Sequence, residues 1–333
     1  MTKTWLLPVL ILVVTGPVLA ERPIVIAHRG ASGYLPEHTL AAKALAHAQG
    51  ADFLEQDVVL TSDGVPIVSH DIHLDRVTDV ALRFPERARP DSRYYAIDFS
   101  WPEIQQLRVV ERVNEAGKAA YPNRFPTGTP LFRIVSLKEE LQFIQGLNRS
   151  TGRNVGIYVE LKQPAFHHRE GQDLSLITLG ILRTFGYEAA DDQCFVQCFE
   201  EAELRRLREK LQTELRLIQL VSDGKEWQSL LQDPTRLERR LQSISEYADG
   251  IGPSLSLVVS GGQGDQDFSE TPLVPAAHRA GLEVHGWTFR SDQLSCGAKD
   301  FGQLHRWTQA VGLDGYFTDF PDKTVHFLRD DVP

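Results

Sequence analysis

Two histidines are candidates for proton transfer. His28 ends the apolar run IVIAH, and His70 ends the short run VPIVSH. An imidazole gains and loses a proton near neutral pH, so two of them in one site could act as general base and general acid. For His28 alone, a histidine that is merely hydrogen-bonded at the end of a strand is an equally good interpretation. The pair is therefore informative only if the fold brings both histidines together.

Three carboxylates lie in otherwise apolar segments. Glu55 and Asp57 are two residues apart in FLEQDVVL, so an extended strand places both on one face. Glu160 shares a face with Lys162 in VGIYVELKQ. Carboxylates that crowd together repel one another, and a hard cation such as Ca²⁺ or Mg²⁺ relieves that repulsion. With water and a substrate oxygen, three carboxylates would serve either ion, and the sequence does not distinguish between them.

Further side chains are placed to bind an anion or to line a pocket. The guanidinium of Arg29, which directly follows His28, and the ammonium of Lys162 are suited to a phosphate group. Four residues at alternate positions of later segments could form pocket walls, although packing in the core is an equal alternative for the aromatic ones: Gln197, Phe199, His285 and Trp287. Three histidines outside the apolar runs are expected at the surface or rim: His47, His167 and His168.

These residues fall on short β-rich runs that alternate with helical patterns between residues 24 and 320. Alternating β and α units predict a parallel sheet, and eight of them fit a closed (β/α)8 TIM barrel, with an open doubly wound sheet as the alternative. In such a barrel the reacting groups gather at the carboxyl ends of the strands. Besides a short extra strand at Val65–Ser69, the predicted strands are Ile24–His28, Phe53–Val59, Val155–Leu161, Cys194–Phe199, Leu215–Val221, Asp249–Gly252, Glu283–Phe289 and Gly315–Thr318.

Two segments interrupt the alternation. Residues 79–133 contain no strong strand pattern, and they are predicted to be an insertion between the second and third βα units. Residues 253–275, with GGQGDQ at their centre, are predicted to be a mobile loop after the sixth strand. A capping box that begins at Ser136 predicts a helix to about Leu147.

The first 20 residues predict export. MTKTWLLPVLILVVTGPVLA combines Lys3, an apolar run, and small residues at Val18 and Ala20, as a cleaved signal peptide does. An uncleaved membrane anchor is the alternative, but the run is interrupted by prolines and is shorter than the roughly 20 apolar residues that a span needs. We therefore expect residues 21–333 to form one soluble, exported domain.

Composition excludes some classes of protein. Of the 333 residues, 42% are hydrophobic, which is enough for a full core. The net charge is −10, or −11 without the predicted signal peptide because that segment contains one lysine and no acid, and this disfavours a nucleic-acid partner. Cys194 and Cys198 would lie about 13 Å apart on one strand, too far for a disulfide, so both are predicted to be packing residues, as is Cys296.

Several segments together resemble the glycerophosphodiester phosphodiesterases, and in detail the bacterial periplasmic type. The resemblance is carried by IAHRGASGYLPEHTL, DFLEQDVVL, VPIVSHD and YVELK, and it continues through RYYAIDF, FHHREG, EYADGIGP and GLDGYFTDFPD. Each short motif is weak alone, but the combination is specific and spans nearly all of the chain after residue 20.

The resemblance implies a barrel with an insertion, one bound Ca²⁺, and hydrolysis of small deacylated phospholipids such as glycerophosphocholine and glycerophosphoethanolamine. The products would be sn-glycerol 3-phosphate and an alcohol, and the location would be the periplasm. It also implies the following roles: metal ligands at Glu55, Asp57 and Glu160; general base and general acid at His28 and His70; phosphate contacts from Arg29 and Lys162; and a place near the site for Glu37.

Some points stay open at this stage. The segments YVELKQPAF and VHGWTFR depart from the closest family pattern, and both could alter which alcohol is preferred. A lipid phosphodiesterase of the same barrel type, such as a sphingomyelinase D or a phosphatidylinositol phospholipase C, is an alternative, although no amphipathic membrane-docking segment is visible. A secreted binding protein without catalysis is another. A homodimer is neither indicated nor excluded.

Overall fold

The computed structural model describes residues 22–261 and 268–330. The predicted signal peptide and most of the GGQGDQ segment lie outside the described residues. Within these ranges, eleven strands are described: β1 Ile24–Ala27, β2 Phe53–Leu60, β3 Pro66–Val68, β4 Gly156–Leu161, β5 Cys194–Cys198, β6 Arg216–Val221, β7 Gly250–Pro253, β8 Val259–Gly261, β9 Phe268–Glu270, β10 Glu283–Phe289 and β11 Gly315–Thr318.

Eight of these strands close into a parallel barrel. Their order around the barrel is β1, β2, β4, β5, β6, β7, β10 and β11, and β11 pairs again with β1. The short β3 adds to the outer edge of β2 in the antiparallel direction. The predicted (β/α)8 TIM barrel is confirmed, and the open doubly wound sheet is excluded because both edges of an open sheet would lack this final pairing.

Helices cover the outside of the barrel and connect its strands. The helix predicted from the capping box at Ser136 is present, but it continues one turn beyond Leu147 because it ends at Gly152, which adopts the left-handed conformation typical of helix ends. The helices are α1 Leu40–Gln49, α2 Val80–Arg83, α3 Trp101–Ile104, α4 Leu137–Thr151, α5 Pro164–Arg169, α6 Leu174–Thr184, α7 Glu201–Glu209, α8 Lys225–Leu231, α9 Pro234–Ser245, α10 Leu273–Arg279, α11 Phe301–Ala310 and α12 Pro321–Asp330.

The interior of the barrel changes from apolar to charged along its axis. A buried layer of apolar side chains fills the amino end of the barrel: Ile26, Phe53, Tyr158, Phe195, Ile218 and Phe317. In this layer the hydroxyl of Tyr158 lies 2.8 Å from the Nδ1 of His285, at hydrogen-bond distance. Two residues further along β2 and β4, the same inward positions carry acidic side chains. The barrel is thus closed at its amino end by packing, which leaves the carboxyl end for chemistry.

Residues 79–133 form a covering over one side of the barrel. They contain α2, α3 and two short 3-10 helices, Pro85–Arg87 and Ala96–Asp98, and within this fully described range no strand longer than an isolated bridge. A separate apolar cluster that includes Tyr94, Phe99 and Leu107 packs them against Val59 and Ile67 of β2 and β3. The insertion is therefore held to the barrel by its own small core.

Residues 253–275, predicted to be a mobile loop, contain two short strands in the part that the structure describes. Strands β8 and β9 pair in the antiparallel direction on either side of the glycine-rich centre. Phe268 stacks on Trp307 with ring centroids 5.7 Å apart, so the hairpin is supported by apolar packing that the glycine content of the segment conceals.

Within residues 22–261 and 268–330, none of the helices combines the length and apolarity needed to cross a bilayer.

A buried ion pair ties two helices to β2. Lys43 of α1 and Glu140 of α4 are fully buried and face each other at 2.8 Å, and Lys43 also donates a hydrogen bond to the carbonyl oxygen of Glu55. A buried ion pair is weak evidence for stability, but the loss of one partner leaves the other charge uncompensated in a medium of low polarity.

We therefore expect Glu140→Ala to lower the free energy of unfolding by about 3 kcal/mol, measured by urea denaturation. Lys138→Ala, on the exposed face of the same helix, is the matched control and should change it by less than about 0.5 kcal/mol. Equal effects of the two substitutions would show that the buried pair has no special role.

Candidate active site

The carboxyl ends of β1, β2 and β4 bring the predicted catalytic residues together. His28 directly follows β1, and the chain turns there because Arg29 and Gly30 both adopt left-handed conformations. A side chain at Gly30 would meet the backbone of Ala42 at 2.9 Å, so this turn also requires glycine. His70 reaches the same end because β3 runs back along β2, and the backbone N–H of Ser69 donates to the Asp57 carbonyl oxygen.

Three carboxylates lie close together at this end. Asp57 and Glu160 are direct neighbours in the register of β2 and β4, and Glu55 is one inward position below Asp57. One oxygen from each of the three falls within 4.8 Å of the others, and the residues are between 1% and 5% exposed. The metal ligands predicted from the sequence are thus brought into one buried group.

This group fits a divalent cation. The Oδ1 atom of Asp57 is buried and has no hydrogen-bond partner in the described structure. Burial, followed by repulsion from Asp57 and Glu160, raises the pKa of Glu55 well above its usual range, and burial also raises the pKa of Glu160. Three adjacent carboxylates are therefore not all ionised at low cost unless a cation neutralises them, and oxygen ligands of this kind suit a hard divalent ion.

Cations and hydrogen-bond donors surround the acidic group. The backbone N–H of Arg29 and the amide of Gln197 each donate to a different oxygen of Glu55, over 2.8 and 2.9 Å. Lys162 donates to Glu160 over 2.6 Å. His38 contacts the Oδ2 of Asp57 at 2.6 Å. Each ligand carboxylate is thereby held by a partner that leaves part of it free for a metal.

Glu37 lies behind Arg29. Its carboxylate accepts a hydrogen bond from Arg29 over 3.1 Å and two from Arg112 of the insertion, over 2.6 and 2.8 Å. Although burial opposes it, these two arginines hold the pKa of Glu37 well below its usual range. Glu37 is thus near the site, as predicted, but it lies between two guanidinium groups and does not line the cavity.

A buried carboxylate orients His28. Its Nδ1 lies 2.6 Å from the Oδ1 of Asp319, the residue that follows β11, and Arg124 donates to the Oδ2 of Asp319 over 2.7 Å. Burial, followed by the charge of Arg29, lowers the pKa of His28 to about 4. In the neutral ring the proton sits on Nδ1, facing the carboxylate, and Nε2 keeps a free lone pair that can accept a proton.

A second chain of the same kind reaches His70. Its Nδ1 lies 2.8 Å from the Oδ1 of Asp71, and Arg112 donates to the Oδ2 of Asp71 over 2.7 Å. Burial, followed by Arg29 and Lys162, lowers the pKa of His70. Both histidines therefore have Nδ1 on a carboxylate, and each of those carboxylates is held by an arginine from the insertion.

One cavity of about 90 Å³, here called the reaction cavity, joins these groups. Trp287 lines it as predicted, with its indole N–H fixed to the Gly252 carbonyl oxygen at 2.7 Å. Gln197 also lines it, but its amide is engaged by Glu55, and His285 lies at the other end of the barrel. The lining residues are His28, Arg29, Glu55, His70, Glu160, Lys162, Gln197, Phe199, Leu220, Trp287, Thr288, Arg290 and Phe317.

The predictions for two of the other histidines were wrong. His47 and His167 are buried, at 3% and 0% exposure, and His47 contacts the Oδ1 of Asn148 at 3.0 Å. The pattern of the sequence concealed this because α1 and α5 pack their polar residues against neighbouring helices. His168 has 37% of its side chain exposed, in agreement with a rim position.

Sequence reasoning missed six residues of the site. Asp71 and Asp319 belong to the SHD and TDF segments, so the motifs contained them although no role was assigned. His38 stands beside Glu37 in the PEH segment. Arg290 donates to the Oδ2 of Asp319 over 2.8 Å. Arg112 and Arg124 lie in the insertion, far along the chain from the residues that they contact, and no local signal could have identified them.

Divalent-cation binding, proton transfer and anion binding thus converge on one cavity at the carboxyl end of a TIM barrel. These three capacities together are suited to cleavage of a phosphate diester. The fold and the site define the class as a metal-dependent barrel phosphodiesterase.

Comparison with known proteins gives the family. Residues 28–323 match the model of the glycerophosphoryl diester phosphodiesterase family. A glycerophosphodiester phosphodiesterase of Haemophilus influenzae is 43% identical over 326 residues, which cover 92% of this chain and 90% of that protein. A glycerophosphodiester phosphodiesterase of Treponema pallidum is 38% identical, and the match covers 93% of this chain and 92% of that protein. This chain belongs to the glycerophosphoryl diester phosphodiesterase family, and it is a hydrolase of phosphate diesters.

A solved structure shows the same fold. An Oleispira antarctica phosphodiesterase, whose crystals contain the product sn-glycerol 3-phosphate, superposes with a TM-score of 0.62 at 23% identity. The match covers 92% of this chain and 97% of that one.

Arg112 and Arg124 of the insertion hold the carboxylates that orient the two histidines, and this predicts a role for the insertion in catalysis. Arg124→Ala leaves Asp319 without one of its two guanidinium partners, so we expect kcat for diester hydrolysis to fall about 10- to 100-fold with little change in KM. The charge and hydrogen bonds can be supplied again from solution, so added guanidinium should restore part of the activity of this variant. Steady-state kinetics with and without guanidinium measure both effects.

Arg83→Ala is the matched control, since Arg83 belongs to the same insertion and its ion pair among the described residues is with Asp79, which precedes its own helix. It should keep the parent kcat. Equal losses in both variants, or no response to guanidinium, would assign Arg124 a structural role alone.

Proposed function

We propose that this protein hydrolyses glycerophosphodiesters to sn-glycerol 3-phosphate and an alcohol, with Ca²⁺ as its metal. The observation that carries the proposal is a cavity lined by both oriented histidines, by Glu55 and Glu160 of the acidic group, and by the cations Arg29 and Lys162. The names of the Haemophilus and Treponema relatives support the substrate class.

Calcium is favoured over magnesium by the number of carboxylates. Mg²⁺ usually retains several waters and binds through one or two carboxylates, whereas Ca²⁺ accepts six to eight oxygens from several carboxylates in flexible geometry. Glu55, Asp57 and Glu160 offer three carboxylates from two strands, with the remaining positions open to water and substrate. When bound, the ion would neutralise the diester and lower the pKa of the attacking hydroxyl or water.

The side chains of the protein supply the other steps. Arg29 and Lys162 bind the phosphate oxygens by charge-assisted hydrogen bonds. His28 accepts the proton of the nucleophile at Nε2, since its Nδ1 is held by Asp319. His70 protonates the departing alkoxide. Burial lowers the pKa of both rings, so His70 can act as the acid only after it has gained a proton.

The test is release of sn-glycerol 3-phosphate from glycerophosphocholine by the purified protein. We expect turnover with Ca²⁺, loss of turnover in EDTA, and recovery when Ca²⁺ is restored, because the acidic group cannot hold the diester without a cation. Absence of product from folded protein under every metal condition would falsify the proposal.

His28→Ala and His70→Ala should each lower kcat at least about 100-fold if the two rings transfer protons. Calorimetry of Ca²⁺ binding provides the control, because neither histidine belongs to the acidic group and the affinity should stay within a few-fold of the parent. An active variant at either position would remove that histidine from the mechanism.

We also propose that the protein acts in the periplasm. Support comes only from the sequence of residues 1–20, which has the charged start, apolar run and small cleavage-site residues of a signal peptide.

Expressed in a Gram-negative host, the full chain should appear in the osmotic-shock fraction with Glu21 as its first residue. A chain that starts after residue 20 is the control and should stay in the cytoplasm. An uncleaved chain in the membrane fraction would support an anchor and contradict the proposal.

A further inference from the structure

We propose that a second cavity beside His70 binds the alcohol part of the diester and prefers an alcohol with a cationic nitrogen. This inference rests on the proposed function. The cavity, here called the side cavity, has a volume of about 210 Å³ and is lined by His70, Asp71, Glu160, Leu161, Lys162, Gln163, Cys198, Phe199 and Glu200.

The side cavity continues the reaction cavity in the direction of the leaving group. The two share four lining residues, His70, Glu160, Lys162 and Phe199, whereas His28 lines only the reaction cavity. The group that protonates the departing oxygen must lie within hydrogen-bond reach of it. An oxygen beside His70 therefore carries its alcohol toward the side cavity, and the glycerol phosphate part stays near His28 and the acidic group.

The charges of the side cavity leave one carboxylate without a cationic partner. Asp71 is paired with Arg112, and Glu160 with Lys162. Glu200 has no ion-pair partner within 4.0 Å among the described residues, and its Oε2 accepts a hydrogen bond only from the backbone N–H of Ala165, over 3.0 Å. A cationic nitrogen would supply the missing partner, whereas a neutral alcohol would not.

An exposed aromatic ring lies next to this carboxylate. Phe199 directly precedes Glu200 and is 43% exposed, unusually high for so large an apolar side chain at a cavity. Trp287 meets it edge to face with ring centroids 5.9 Å apart, and this contact supports its orientation. The ring already has one cation near it, since the Nζ of Lys162 lies 5.9 Å from its centroid. An aromatic ring and a carboxylate in the wall of one cavity suit quaternary and primary ammonium groups, as in choline and ethanolamine.

The turn that follows β4 forms part of the wall of the side cavity. Gln163 lies in the segment YVELKQPAF and adopts a left-handed conformation with φ of 47°, which turns the chain from β4 into α5. Ala165 of the same segment donates to Glu200.

The test compares glycerophosphocholine with glycerophosphoglycerol, whose leaving alcohol is neutral, in saturating Ca²⁺. We expect Glu200→Gln to lower the kcat/KM for glycerophosphocholine relative to that for glycerophosphoglycerol about fivefold, as loss of a partly exposed ion pair does. Phe199→Leu should lower it about threefold through loss of the ring. Glu209→Gln, at the far end of α7, is the matched control and should keep the parent ratio.

Binding of free choline gives a measurement that needs no turnover. In saturation-transfer NMR, choline should bind the parent protein and bind Glu200→Gln about fivefold more weakly. Hydrolysis of both substrates with an unchanged ratio would overturn the alcohol site and leave the proposed function standing. Choline binding that depends on Glu200, in a protein that hydrolyses neither substrate, would overturn the proposed function and leave the alcohol site standing. Choline binding that is absent, or equal in both proteins, overturns the alcohol site.

Discussion

Repulsion among three buried carboxylates governs the arrangement of the residues around them. Glu55, Asp57 and Glu160 point into the carboxyl end of the barrel, where water cannot screen their charges. Every neighbouring contact offsets part of that cost: a backbone N–H and an amide on Glu55, Lys162 on Glu160, and His38 on Asp57. The negative charge that these partners leave uncompensated can bind a divalent cation. A bound cation would in turn attract an anionic substrate.

The insertion is part of the active site and not an appendage. Its core is separate from that of the barrel, yet it delivers Arg112 and Arg124 to the carboxylates that orient the two histidines. The barrel supplies the two carboxylates that orient the histidines, Asp319 and Asp71. The insertion adds an arginine to each carboxylate and so helps to hold it in place.

The two ends of the barrel have different tasks. At the amino end, aromatic and aliphatic side chains fill the interior, and the hydrogen bond between Tyr158 and His285 satisfies two polar groups that would otherwise be buried without a partner. At the carboxyl end, inward positions carry charges that reduce stability and serve chemistry. Buried ion pairs between the helices that surround the barrel, such as Lys43 with Glu140, hold the strands that carry those charges.

The sequence by itself determined the eight strands, the barrel and the residues that meet at its carboxyl end. Alternation along a strand is a local rule, and the carboxyl ends of parallel strands lie at one end of a barrel. The two-residue spacing of Glu55 and Asp57 placed both on one face of a strand, and the family resemblance implied their role as metal ligands. Only the tertiary structure decided that Asp319 orients His28, that Arg112 and Arg124 reach across from the insertion, and that His47 is buried. Those contacts join residues far apart in the chain, and their formation depends on how helices and insertion pack, which no local pattern encodes.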